Sequence, residues 1–208
     1  MKMMEIKKIP KNDKLALNII VDIHIKAFRG FFLTFMGKGF LKQVYSSYLS
    51  HRKSEVLGAF IDNRLVGFLA YSEDLSGLYK YMLKTRLIGI IWYSFGAFIR
   101  KPVVFFRLIR ALLKPSESKR EERYVKLASI GILPEEMSKG VGTALINALK
   151  NSIDFQEFSY ISLETDAENN EKANRFYVKN GFALKKTFIT REGRKMNEYR
   201  FCNENFNS

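Results

Sequence analysis

The sequence predicts a mixed α/β fold, of α/β or α+β layout, with helices packed on one mixed sheet. Three observations carry this. After Arg123 the apolar pattern runs strand, helix, strand, helix, strand, strand. Two glycines one residue apart open the first helix of that run. Upstream, residues 56–61 and 65–71 are β-rich runs joined by Asp62-Asn63-Arg64, a hairpin signal. At 208 residues the chain is one domain with room for an insertion, taking about 150 residues per domain.

Residues 5–9 read as a first strand ended by Pro10, and residues 14–28 as a helix with Leu15, Ile19, Ile20, Ile23 and Ala27 at helical spacing. Gly30 interrupts the pattern, and residues 39–49 form a second helix before the hairpin. Residues 73–122 change character. They read as two helices, 78–99 and 103–113, broken at Pro102. Then come a strand at 124–133, a helix at 140–150, a strand at 160–165 and a helix at 170–179. Two closing strands, 182–190 and 197–201, flank the turn Arg191-Glu192-Gly193.

Composition narrows the function. Hydrophobic residues make up 47% and aromatics 14%, enough for a packed core, so wholesale disorder is excluded. A single cysteine, Cys202, excludes an internal disulfide and a cysteine-based metal cluster. Two histidines, His24 and His51, do not make a His-rich zinc centre, and no metal is expected. Lys and Arg number 35 against 21 acids, a net charge of +14 that points to an anionic partner. More than half of that excess sits in one place. Lys80, Lys84, Arg86, Arg100, Lys101, Arg107, Arg110 and Lys114 carry +8, with no acid between residues 75 and 114.

The N-terminus lacks the apolar run of a secretory signal. The longest uncharged stretch, residues 87–99, is thirteen long, whereas a spanning helix needs about 20. A cytoplasmic location is expected. Basic helices rich in Phe, Trp and Tyr also suit the anionic inner face of a membrane, or a phosphate-bearing substrate. The alternative is a helical hairpin packed over the sheet with an ordinary solvated basic face.

The chemistry is concentrated in I-G-I-L-P-E-E-M-S-K-G-V-G-T-A-L, residues 130–145. A strand ends at Pro134, a short loop comes next, and Gly140 and Gly142 open a helix whose apolar face is Val141, Ala144, Leu145, Ala148 and Leu149. Free N–H groups at a helix start, with the helix dipole behind them, attract an anion. Glycine at 140 and 142 lets the backbone approach a pyrophosphate, and Ser138, Lys139 and Thr143 can add contacts. Taken alone the segment is also an ordinary helix start with Ser138 as N-cap. It is neither a Walker loop nor a full G-x-G-x-x-G.

A second segment, N-E-K-A-N-R-F-Y-V-K-N-G-F at residues 170–182, has Asn170 as N-cap and Gly181 past the helix end. Together, in this order and spacing, L-P-x-x-x-x-x-G-x-G-x-A-L and N-x-x-A-x-x-F-Y-x-x-x-G-F resemble the GNAT superfamily of acyl-CoA-dependent N-acyltransferases. The resemblance implies a mixed, mostly antiparallel sheet flanked by helices. It makes 73–122 a helical insertion between the third and fourth strands of a single domain, residues 1–208.

It also implies acetyl-CoA as co-substrate and a primary amine as acceptor. Ile130, Gly131 and Ile132 would pair with the pantetheine arm. The loop from Ser138 through Lys139, Gly140, Val141 and Gly142 to Thr143 would hold the pyrophosphate. Asn170, or adjacent Asn169, would contact the cofactor arm, and Tyr177 would protonate the departing thiolate. A strand amide near Ile132 would stabilise the oxyanion. The family usually has Arg or Gln where this chain has Met137, and Lys139 is the candidate replacement for that charge.

No base is singled out among Glu122, Glu164, Asp166 and His24. The aromatic stretch I-H-I-K-A-F-R-G-F-F-L-T-F-M-G, residues 23–37, falls where such proteins shape the acceptor pocket. It is similar to a GNAT subgroup of bacterial surface-polysaccharide pathways. That implies a nucleotide- or lipid-linked amino sugar as acceptor. The alternatives are a protein or ribosomal amine, and a non-catalytic domain binding anionic membrane or nucleic acid through residues 75–114.

Overall fold

The computed structural model describes residues 3–100, 122–190 and 193–203. Seven strands form one sheet in the order β1-β2-β3-β4-β5-β7-β6. They are β1 (Met4–Lys8), β2 (Ser54–Ile61), β3 (Arg64–Ser72), β4 (Tyr124–Ile132), β5 (Tyr160–Asp166), β6 (Ala183–Ile189) and β7 (Lys195–Phe201). Every neighbouring pair is antiparallel except β4 with β5. The predicted mixed, mostly antiparallel sheet is therefore what the chain builds.

Helices α1 (Lys14–Ala27), α2 (Phe32–Phe35) and α3 (Lys38–Ser50) precede the hairpin, and α4 (Leu75–Arg100) comes after it. Helices α5 (Val141–Ser152) and α6 (Glu171–Lys179) belong to the second half. The single turn α2 is an element the sequence pattern does not resolve, because four residues are too few to display a period. The helix after β3 runs over 26 residues, longer than the predicted 78–99. The predicted second insertion helix, 103–113, lies outside the described residues. No described helix is long and apolar enough to cross a membrane.

Both faces of the central sheet are covered. Adjacent residues of β3 point to opposite faces, so their neighbours identify the two layers. Phe68 meets the ring of Tyr45 from α3 at 5.1 Å, whereas a β-carbon on Gly67 would lie 3.2 Å from Val141 of α5. Helices α1 and α3 thus cover one face and α5 the other. Residues 65–72 of β3 are all buried, the near-continuous apolar run of a strand with no solvent face. Helix α4 packs on α3 through a second apolar cluster of Met36, Phe40, Met82 and Ile90.

Candidate active site

The parallel junction of β4 and β5 is short. Only Tyr124, Val125 and Lys126 pair across it, with Tyr160, Ile161 and Ser162. Beyond Lys126 the strands part. β5 continues against β7 as far as Asp166, while β4 continues against β3 as far as Ile132. On β4 the register with β3 shifts at Ala128, which stands opposite no residue of β3 and is exposed. Such a bulge bends its strand and re-aims the residues beyond it.

Leu133 donates its N–H to Val66 across 2.9 Å. Backbone polar groups alternate sides along a strand, so Gly131 also faces β3, whereas Ile130 and Ile132 turn theirs away from it. At that height β5 does not pair with β4. Of the three predicted strand residues, two present a free hydrogen-bonding edge and Gly131 does not.

The open edge leads into the glycine turn. Gly140, at φ +81°, is the N-cap of α5, and its carbonyl accepts from Ala144 at 2.9 Å. The amides of Val141, Gly142 and Thr143 therefore lack helical acceptors. Ser138 is not the N-cap. It sits two residues upstream at φ +63°, and no side chain caps the helix, so the groups left open at this helix start are backbone amides. The two glycines do different jobs. A β-carbon on Gly140 would meet nothing within 4 Å, so its requirement is conformational. One on Gly142 would lie 3.0 Å from both Ile132 and Phe176, so glycine there lets α5, α6 and β4 meet. Met137 is exposed. Lys139 bonds Glu136 at 3.0 Å, which partly neutralises the cation at this turn.

Helix α6 closes the other side. Asn170 occupies the N-cap position, but its amide donates to Thr165 Oγ1 at 2.6 Å instead of capping. Asn169 stands at φ +55°. Tyr177 is 8% exposed among the rings of Phe176, Phe182 and Tyr199. Burial pushes its phenol up to about 12, and the hydroxyl makes no hydrogen bond among the described residues.

Asn174, one turn earlier, is the residue sequence reasoning missed. Its amide donates to the carbonyls of Asp166 and Asn170, and its oxygen accepts from Asn197 and Tyr199. It ties the end of β5, the start of α6 and β7 into one frame. Nothing in the local sequence separates it from Asn169 or Asn170.

The acids considered as bases are engaged. Glu164 bonds Lys126 at 2.8 Å, Asp166 receives both Nε and Nη2 of Arg194, and Glu122 lies 3.9 Å from Arg200. His24 is 3% exposed, with Nδ1 2.6 Å from the Tyr45 hydroxyl and Nε2 buried without a partner. Such an orphaned polar atom costs about 1–3 kcal/mol. Burial pushes the ring down to about 4, so it is neutral.

An open strand edge running into a helix N-terminus marks a class of arrangement suited to an extended ligand with an anionic end. Within that class the chain belongs to the acetyltransferase (GNAT) family, whose pattern matches residues 20–182. Solved structures share the fold. A GNAT-family protein from Desulfovibrio desulfuricans is 14% identical, with 96% of this chain and 99% of that one covered and a TM-score of 0.62. The ribosomal-protein-S18-alanine N-acetyltransferase from Escherichia coli is 14% identical, covering 99% and 100%, with a TM-score of 0.55. The PaiA N-acetyltransferase from Thermoplasma acidophilum, solved with coenzyme A, is 15% identical, covering 96% and 99%, at 0.55. No curated protein matches the chain.

Proposed function

We propose that the protein transfers the acetyl group of acetyl-CoA to a primary amine on a small, phosphate-bearing acceptor, a nucleotide- or lipid-linked amino sugar. The observation that carries the donor half is the gap between β4 and β5, which ends at the unpaired amides of Val141, Gly142 and Thr143. An extended amide-bearing arm fits the free edge of Ile130 and Ile132, and a pyrophosphate fits the helix start. Ser138, Lys139 and Thr143 would add contacts to that anion, and Asn170 would contact the arm.

The amine nitrogen attacks the thioester carbonyl, the C–N bond forms, and the C–S bond breaks. A strand amide near Ile132 would supply the donor for the oxyanion. The amine loses one proton and the sulfur gains one, so the reaction balances. The Tyr177 phenol is protonated at working pH and holds a hydrogen for the leaving sulfur; burial raises its pKa and so weakens it as an acid, and the transfer depends on the charge that develops on the sulfur. Holding donor and acceptor side by side supplies much of the rate.

The acceptor half rests on charge and aromatic surface. Helix α4 has no acidic residue. It exposes Lys80 and Lys84 and, further along, Ile88, Trp92 and Phe95. That surface suits the anionic face of a bilayer, where a lipid-linked acceptor would lie. Trp92 is the single tryptophan of the chain, so its fluorescence reports on this face alone. Vesicles containing phosphatidylglycerol should shift its emission to shorter wavelength, and phosphatidylcholine vesicles should not. An unchanged spectrum with both removes the membrane.

The experiment that tests the whole reading has two arms. Acetyl-CoA should raise the melting temperature, and thiol release should appear with a panel of UDP-amino sugars. Absence of any shift at millimolar acetyl-CoA overturns the donor. A shift with silence across the panel overturns the acceptor.

A further inference from the structure

On the α1 face of the site, three residues far apart in sequence form one hydrogen-bonded line. His24 Nδ1 lies 2.6 Å from the Tyr45 hydroxyl, which lies 3.1 Å from the Ser129 hydroxyl. His24 and Tyr45 are 3% and 2% exposed, while Ser129 is half-buried. Ser129 comes directly after the bulged Ala128 and precedes Ile130, the first residue whose backbone faces the gap. The next residue on its face of β4 is Gly131, which offers no side chain and sits against Phe28 and Phe68. Phe28 in turn touches the rings of His24 and Phe31. The Ser129 hydroxyl therefore lies on the aromatic side of the strand, across from the Ile132 and Val141 side.

Hydrogen-bond chemistry sets the direction of this line. A separation of 2.6 Å is that of a hydroxyl donor, shorter than N–H donors usually give. A phenol is also a stronger acid than the N–H of a neutral imidazole, so Tyr45 donates to Nδ1. The ring proton then sits on Nε2, which is buried and unpartnered. With its one hydrogen committed to His24, the Tyr45 oxygen can only accept, and Ser129 donates to it. Ser129 is left with lone pairs alone.

We propose that His24 and Tyr45 are positioning residues that hold the Ser129 hydroxyl as a pure hydrogen-bond acceptor, a subsite that takes an N–H of the incoming amine and aims its lone pair at the thioester. This rests on the transferase reading of the site. It also states what the subsite rejects: a nucleophile presenting only acceptors gains nothing there.

Two measurements decide it. With the amine found by the panel, Ser129→Ala and Tyr45→Phe should each raise the amine KM about tenfold, with the acetyl-CoA KM within twofold. The double variant should be no worse than either single one, because both break the same line. Ser129→Thr should restore most of the loss. Additive losses, equal movement of both KM values, or an unchanged amine KM overturn the proposal. Independently of turnover, nitrogen NMR should show a neutral Nε2–H tautomer for His24, assigned against His51 with His24→Gln, and its Nδ1 signal should move in Tyr45→Phe. A proton on Nδ1 overturns the direction. The NMR result stands even if no amine on the panel is acetylated, so the failure of the proposal is separable from that of the transferase reading.

Discussion

The two sides of the sheet solve the same problem with different materials. On the β4–α5 side, the groups that face the gap are main-chain amides, placed by a bulge, a glycine at positive φ and a helix start. On the α1–α3 side lies a line of side chains, His24, Tyr45 and Ser129, contributed by three separate elements. Main-chain amides tolerate most substitutions around them, because their positions depend on backbone conformation. A side-chain line fails when any member is lost. The lesson is that the donor half should be robust and the acceptor half brittle, and mutation can test the contrast.

The largest expected effect is an exception on the donor side. Tyr177→Phe should lower kcat by about 10²- to 10⁴-fold, the range for losing a general acid. Binding of acetyl-CoA, measured by calorimetry, should stay within twofold. Unchanged kcat would reduce Tyr177 to a core ring.

Next comes acid sensitivity from the α1 side. The unfolded chain protonates His24 near 6.5, and the native ring does so only near 4. Between those values the unfolded state binds more protons, so stability falls as pH drops through that window. The loss should reach about 3 kcal/mol by denaturant titration, and His24→Gln should flatten it. An equal slope in the variant would place the titrating group elsewhere.

Asn174→Ala should cost about 2 kcal/mol in the same titration, because it leaves Tyr199 and Asn197 without their shared acceptor and two carbonyls without their donor. A loss near zero would show that the frame around the gap is also held by backbone. Smallest is Gly140→Ala, at about 1 kcal/mol. The built β-carbon meets nothing, so the cost is only that of a left-handed conformation. A larger loss would mean that the turn is sterically confined.

Much of the donor half was legible because it is local. Strand, glycine turn and helix start occupy residues 130–145, and an N-cap with a glycine exit marks 170–182, so spacing alone suffices. Even so, Gly142 serves packing against Ile132 and Phe176, and the latter partner is some thirty residues downstream. Ser138 has the chemistry of a cap but takes a left-handed conformation, because Gly140 already begins the helix. Asn174 was illegible because its four hydrogen bonds reach residues 166, 170, 197 and 199. His24 stood among the titratable candidates without a role, since nothing nearby in sequence names Tyr45 or Ser129 as its neighbours.

What the sequence determined by itself is therefore the order of the strands and the longer helices, the glycine-opened helix start and the family. Periodicity, capping and glycine placement are short-range, and each can be read within a turn or a hairpin. What only the tertiary structure decided is the splay of β4 from β5, which two residues of β4 turn their backbone to the gap, and which side chains meet on the α1–α3 side. Those depend on pairings across 20 to 85 residues, where register and side-chain direction are set by packing in three dimensions and leave no periodic trace along the chain.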